Sequence, residues 1–226
     1  MTHPENKTPD LSALDALTAG AFTATTSGER ISLLQTWLQT EPSLSALQDV
    51  FKEMSHRDKG AAKVLRDSIE EKRRNIEQEA LAHSWAEKGM ALRDAPRINI
   101  ADAMAWQRDA AKAGAPLSRE PLAGLKTALA DRVKAIEDLQ HQSQVQREAA
   151  VLLAQRIEVL STKPWQDAQA QRDALQADLD RWQAQAKSLT DDSQWSSVDA
   201  KFPPALQTSA QQLQAVWLAF CDALQL

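Results

Sequence analysis

A seven-residue repeat of apolar side chains in the second half of the chain constrains its fold more than any other feature. Nine of twelve successive core positions are apolar: Leu122, Leu125, Leu129, Arg132, Ile136, Leu139, Ser143, Gln146, Ala150, Leu153, Ile157 and Leu160. A 3.5-residue spacing held for this long is typical of a coiled-coil seam. At 1.5 Å per residue, a helix over 121–161 is roughly 60 Å long.

A second apolar seam begins directly after the first one ends at Lys163 and Pro164. Its core positions are Trp165, Ala168, Arg172, Leu175, Leu179, Trp182, Ala186 and Leu189. Because the connection is so short, the two helices are predicted to run antiparallel, as a hairpin. Pro203 and Pro204 predict another break, after which a final helix carries Leu206, Ala210, Leu213, Trp217, Phe220 and Leu224.

The first seam is longer than the second can cover. We therefore expect the remaining seam to pack against the helix predicted at 59–94, the C-terminal helix or another copy of the chain. Arg132, Ser143 and Gln146 interrupt the seam. Polar seam residues either fix the register of the helices or mark an opening where a partner binds.

The first half of the chain is also predicted to be helical. A tail and short helix occupy 1–28, with the helix at 11–22, and a helix pair follows at 29–40 and 44–54, where Ser43 is a predicted N-cap. Further helices are expected at 59–94 and 100–112. The Gly114-Ala115-Pro116 break then divides an N-terminal helical region, 29–113, from the hairpin with its C-terminal helix, 117–226.

Composition supports an all-α fold and excludes several kinds of site. The chain has no Tyr and only six Gly, whereas strand-rich folds need aromatic residues and Gly-bearing turns. A single cysteine, Cys221, cannot form an internal disulfide. The start has no secretory signal pattern, and no segment has the roughly 18 apolar residues of a membrane span. We expect a cytoplasmic protein without membrane contact.

No sequence motif indicates catalysis. The four histidines are scattered, and the chain has no phosphate-binding loop, dinucleotide-binding glycine motif or nucleophile elbow. Adjacent carboxylates such as Glu70 and Glu71 lie in charged, exposed contexts. The sequence therefore predicts a non-enzymatic protein without a metal or cofactor.

Two sets of residues are candidates for an interaction surface. Residues 57–74 contain seven basic and four acidic side chains, although the chain carries a net charge of -5. Lys59, Lys63 and Arg66 share one helix face, with Arg73 further along, and such a stripe can neutralise phosphates. The alternative is a solvated face with local ion pairs. Trp106 and Trp195 lie near breaks, where an exposed Trp would anchor an interface and a buried one would belong to the core.

The segment RDKGAAKVLRDSIEEKRR, residues 57–74, resembles the RDK-bearing helix of bacterial proteins catalogued as domain of unknown function 349. In that family a short HEAT-like helical region precedes this helix, and long coiled-coil helices with scattered Trp follow. The resemblance covers about residues 29–226 and implies a HEAT-like helix pair followed by a long antiparallel hairpin. This chain is short and follows the family's Trp-centred pattern only loosely at Arg181–Leu189. The family supplies no catalytic residues.

These observations give two functional hypotheses. The first is a helical scaffold or protein-interaction protein, with a protein partner and a homodimer both compatible with the uncovered seam. The alternative is a factor that associates with RNA or the ribosome through the basic residues at 57–74.

Overall fold

The expected all-α fold is confirmed over residues 11–225, the part of the chain that the computed structural model describes. The helices are α1 (Leu11–Leu17), α2 (Ser27–Leu38), α3 (Leu44–Arg57), α4 (Lys59–Asp94), α5 (Ile100–Lys112), α6 (Leu122–Ser161), α7 (Trp165–Asp191) and α8 (Phe202–Gln225), with a 3-10 turn at Trp195–Ser197. No strand occurs among these residues. The predicted tail at 1–10 lies outside the described residues.

The chain divides into two compact units, and the division falls within α4, between Leu81 and Ala82. In the first unit, α1, α2, α3 and the first part of α4 share one core. Leu34 of α2, Val50 of α3 and Leu65 of α4 are buried in it. The predicted helix pair is therefore present as α2 and α3. Ser43 caps α3 as expected, because its Oγ accepts a hydrogen bond from the backbone N–H of Ala46 at 3.2 Å.

α1 ends five residues earlier than the apolar pattern predicts. The chain leaves the helix at Thr18 and turns at Gly20, whose φ of 96° is readily adopted only by glycine. A carboxylate oxygen of Asp15 then accepts hydrogen bonds from the backbone N–H groups of Phe22 and Thr23. Phe22, predicted as helical, instead lies in this turn and is buried in the core.

In the second unit, α6 and α7 form the antiparallel hairpin. Gln146 bonds to Gln185, whereas Arg156, further along α6, pairs with Asp178, which comes earlier on α7. α8 then packs along both helices, so the hairpin is completed into a bundle of three helices. Contrary to expectation, Pro203 and Pro204 lie inside the first turn of α8. The first turn tolerates proline because its N–H groups have no partner within the helix.

The predicted boundary near Gly114 does not separate the compact units. α5 and the last part of α4 belong to the second unit and pack against the beginning of α6. Trp106 of α5 is buried, and Gly89 of α4 lies against both Trp106 and Leu125. The part of the first seam that α7 cannot reach is thus covered from within the chain, by α5 and the last part of α4.

All three polar residues of the first seam have inward-facing positions. Arg132 donates hydrogen bonds to the backbone oxygens of Leu92 and Arg93 at 2.9 and 3.0 Å, and so satisfies carbonyl groups at the end of α4. Ser143 is 0% exposed. The seam is therefore closed at Ser143, which contradicts the interpretation of an opening there. That the polar residues fix the register of the helices stays a prediction.

Candidate interaction surfaces

The basic residues of α4 lie where the sequence predicts, on one exposed face. Lys59, Lys63 and Arg66 are exposed and lie within the first two turns, on the side away from the buried Leu65. No ion pair among the described residues involves these three side chains, although the Arg66 guanidinium lies 5.9 Å from the centre of the Phe51 ring. Their positive charge is therefore available to an anionic partner.

Asp58, the acidic residue directly before Lys59, is neutralised by internal contacts. A hydrogen bond from the Ser27 side chain, one from the Ala61 backbone N–H and the nearby Arg30 guanidinium together lower the pKa of Asp58 to about 2. Asp58 pairs with Arg30 at 3.1 Å and caps the start of α4 through its Oδ1. Because its charge is used within the unit, Asp58 does not pair with Lys59.

The stripe is shorter than the composition of 57–74 suggests. Arg73 is exposed on the same side of α4, but Glu70 and Glu77 lie on that side too. Lys72 is not part of it, because its ammonium group donates to the backbone oxygen of Pro42. The uninterrupted basic stripe thus consists of Lys59, Lys63 and Arg66, followed by a stretch of alternating charge.

The two candidate tryptophans of the second unit belong to its core. Trp106 is only 4% exposed, and its Nε1–H donates to the backbone oxygen of Trp85 at 3.0 Å. Trp106 is therefore a core residue, which contradicts the interpretation that it is an exposed interface anchor. Trp195 is half-buried and packs against two hydrophobic clusters of the second unit, one around Trp182 and the other around Leu189. The exposed tryptophan is Trp165, which the seam pattern places in the core; it is 63% exposed at the start of α7.

An apolar stripe that the sequence analysis missed runs along the outer face of α6. Val145, Leu152 and Val159 are spaced seven residues apart and are 44%, 62% and 57% exposed. Each follows a buried seam residue, Ser143, Ala150 or Ile157, by two positions. Two residues rotate the chain by about 200° around the helix axis, so the three side chains point away from the core. We call these three residues the outer stripe.

Contacts on the other sides of α6 confirm this orientation. Gln146 and Arg156 bond to α7, and Val151 and Ala154 border clefts shared with α8. The outer stripe faces neither helix of the bundle. A seven-residue apolar repeat displaced by two from the main seam was the signal in the sequence that could have revealed it.

One cleft of about 630 Å³ lies between residues 97–100 and 197–202, and its titratable lining residues are Arg97, Asp199 and Lys201. Asp199 Oδ1 accepts from the Lys201 backbone N–H, and Gln140 Oε1 accepts from the Asp199 backbone N–H. These contacts order the start of α8.

Within residues 11–225, no group of three His, Cys, Asp or Glu side chains is placed to hold a metal ion. Over the same described range, no helix is long and apolar enough to cross a membrane. His83 pairs with Glu87 at 3.2 Å on the exposed side of α4.

Comparison with protein-family models, characterised proteins and solved structures finds no match to this chain.

Proposed function

We propose that this protein is a non-enzymatic, cytoplasmic interaction protein that binds a helical protein partner through the outer stripe of α6. The observation that carries the proposal is the exposed seven-residue repeat of Val145, Leu152 and Val159 on a face that no helix of the bundle covers. Single exposed apolar side chains are ordinary on protein surfaces, but their alignment on one helix face is typical of an interface.

The chemistry of the stripe favours an amphipathic helix as the partner. Three apolar side chains at seven-residue intervals occupy every second position of the 3.5-residue repeat with which one helix packs onto another. The stripe spans residues 145–159, a length of about 21 Å. Polar residues such as Glu148 and Gln155 lie between the apolar ones and would form hydrogen bonds at the rim of such a contact.

A single substitution pair tests this proposal. Leu152→Glu places a charge in the outer stripe, and Leu218→Glu, on α8, is the matched control because Leu218 is similarly exposed, at 52%. Both variants should keep the helical circular dichroism of the native chain. We expect tagged protein carrying Leu152→Glu to lose partners in a pull-down from its native cytosol, whereas Leu218→Glu keeps them. Identical partners for both variants would contradict the proposal.

The resemblance to domain of unknown function 349 stays a prediction, and it agrees with the proposal in implying helices without catalytic residues. It concerns the order of the helix pair, the RDK helix and the hairpin. It says nothing about the outer stripe.

The exposed, unpaired Lys59, Lys63 and Arg66 favour a second candidate function, association with RNA or the ribosome. If each side chain neutralises one phosphate of a single strand, the logarithm of the binding constant should fall with the logarithm of the salt concentration with a slope of about -2. Changing all three residues to Glu should abolish both binding and this slope in a fluorescence anisotropy titration with RNA. Lys126, Lys134 and Lys187, exposed in the second unit, provide a control with the same change in net charge. Equal loss in both triple variants would show only a general effect of charge.

A further inference from the structure

We infer that the occupant of the outer stripe is a second copy of this chain, bound antiparallel about a two-fold axis that passes beside Leu152. This inference rests on the proposed function and names the partner for the same surface. It follows from the symmetry of the stripe and from the charges on either side of it.

The outer stripe is symmetric about its centre. Val145 and Val159 lie seven residues on either side of Leu152 and are the same residue type. In an antiparallel pair, Leu152 meets Leu152 of the second copy, and each Val145 meets Val159. A contact about a two-fold axis uses the same patch on both molecules, and that patch must therefore be complementary to itself. The outer stripe meets this requirement.

The flanking charges distinguish antiparallel from parallel pairing. Glu148 and Arg156 are both exposed and lie four residues on either side of Leu152. The two-fold axis therefore brings Glu148 to the level of Arg156 of the second copy, twice per dimer. In a parallel pair at the same register, Glu148 would meet Glu148 and Arg156 would meet Arg156, which is repulsive.

Arg156 is free to make this contact while it keeps its internal one. Its Nη1 donates to Asp178 at 2.9 Å, and its side chain is 57% exposed. A guanidinium has five N–H donors, so four remain after this bond. Arg181 also donates to Asp178, which keeps that carboxylate paired if Arg156 turns toward the second copy.

The size of the contact predicts a reversible dimer. Four turns of one helix bury less than the roughly 1,200 Å² of a standard stable interface. We therefore expect dissociation on dilution, with monomer at low concentration and dimer at high concentration in sedimentation equilibrium.

Cysteine cross-linking tests the register. With the lone thiol removed by Cys221→Ala, the variant Leu152→Cys should form a covalent dimer under mild oxidation. Val145→Cys and Val159→Cys should each fail to cross-link alone, because like positions lie about 21 Å apart along the axis, but should cross-link when mixed. Thr208→Cys, exposed on α8, measures random collision.

Charge reversal tests the flanking pair. Glu148→Arg or Arg156→Glu alone should raise the dissociation constant of the dimer on the order of tenfold. The reason is that each dimer contains two Glu148–Arg156 pairs, each of which changes this constant by up to about fivefold, and both become repulsive. The double variant should restore it. Independent, additive losses in the double variant would contradict the pairing.

The outcomes separate this inference from the proposed function. No cross-linking of Leu152→Cys above the Thr208→Cys control, or cross-linking of Val145→Cys with itself, would overturn the antiparallel dimer. If the dimer is overturned but Leu152→Glu still loses its protein partners, the proposed function stands with a different occupant. If the dimer forms as described but Leu152→Glu and Leu218→Glu capture identical proteins other than this chain, the second copy is the occupant of the stripe and a different protein partner there is refuted.

Discussion

Gly89 allows a test of how the second unit is packed. It lies inside α4, where replacing glycine by alanine normally stabilises a helix by about 1 kcal/mol. A Cβ at this position, however, would lie 2.8 Å from Cζ2 and 3.0 Å from Cε2 of Trp106, and 3.2 Å from Cδ1 of Leu125. Carbon atoms pack best at about 3.5–4.0 Å. We therefore expect Gly89→Ala to destabilise the protein.

The expected loss of stability depends on how firmly the neighbours of Gly89 are held in place. Trp106 is buried and its Nε1–H is bonded to the Trp85 backbone oxygen, so the ring cannot move away without losing that bond. Overpacking of a filled core costs about 1–3 kcal/mol. After the gain in helix propensity is subtracted, a cost near the upper end leaves a net loss of about 1–2 kcal/mol. This corresponds to a decrease in Tm of about 2–8 °C.

Urea unfolding followed by far-ultraviolet circular dichroism measures this change. Gly28→Ala is the control, because a Cβ at Gly28, in the first turn of α2, has nothing within 4 Å and should stabilise by about 0.4–1 kcal/mol. Adding Trp106→Phe, which shortens the ring system, should cost less in the Gly89→Ala background than in the native chain. If Gly89→Ala is as stabilising as Gly28→Ala, the close packing of α4 on α5 is refuted.

Three further predictions concern single polar residues. Arg132→Met should destabilise by about 1–3 kcal/mol in urea unfolding, because the carbonyl groups of Leu92 and Arg93 lose their donor; an unchanged midpoint would contradict this capping role. Ser143→Ala should raise the Tm or leave it unchanged, because the buried Oγ has no hydrogen-bond partner, and a clear decrease would argue against an unsatisfied hydroxyl. The stabilising effect of ionised Asp58 is complete above its ordinary pKa of 3.8 and is lost as the pH falls towards about 2. Asp58→Asn should therefore weaken the acid dependence of unfolding between pH 4 and 2, and an acid limb identical to that of the native chain would contradict the assignment.

The repeat pattern predicted most of the fold because burial in a helical bundle depends on periodicity. Leu122, Ile136 and Ile157 are buried as the first seam requires, and Leu175 and Trp182 as the second requires. Local chemistry identified the N-cap of α3. These features depend on residues close together in sequence, so the sequence alone contains them.

Other features depend on where the neighbouring helices end, and the sequence does not state this. Trp165 occupies a seam position but lies at the first residue of α7, where it is not covered. Trp106 is buried because Gly89, 17 residues earlier, lets α4 approach its ring. The repeat of Val145, Leu152 and Val159 is present in the sequence, but the positions of α7 and α8 show that this face of α6 stays uncovered.

The central position of α6 has a consequence for hydrogen exchange. α5 and the end of α4 contact the beginning of this helix, and α7 and α8 contact the rest of it. An amide proton in its middle can exchange with solvent only after several of these neighbours have separated from it. The slowest exchange rates in α6 should therefore report the opening of the whole second unit. Protection in α6 should fall uniformly when any one of its neighbours is weakened.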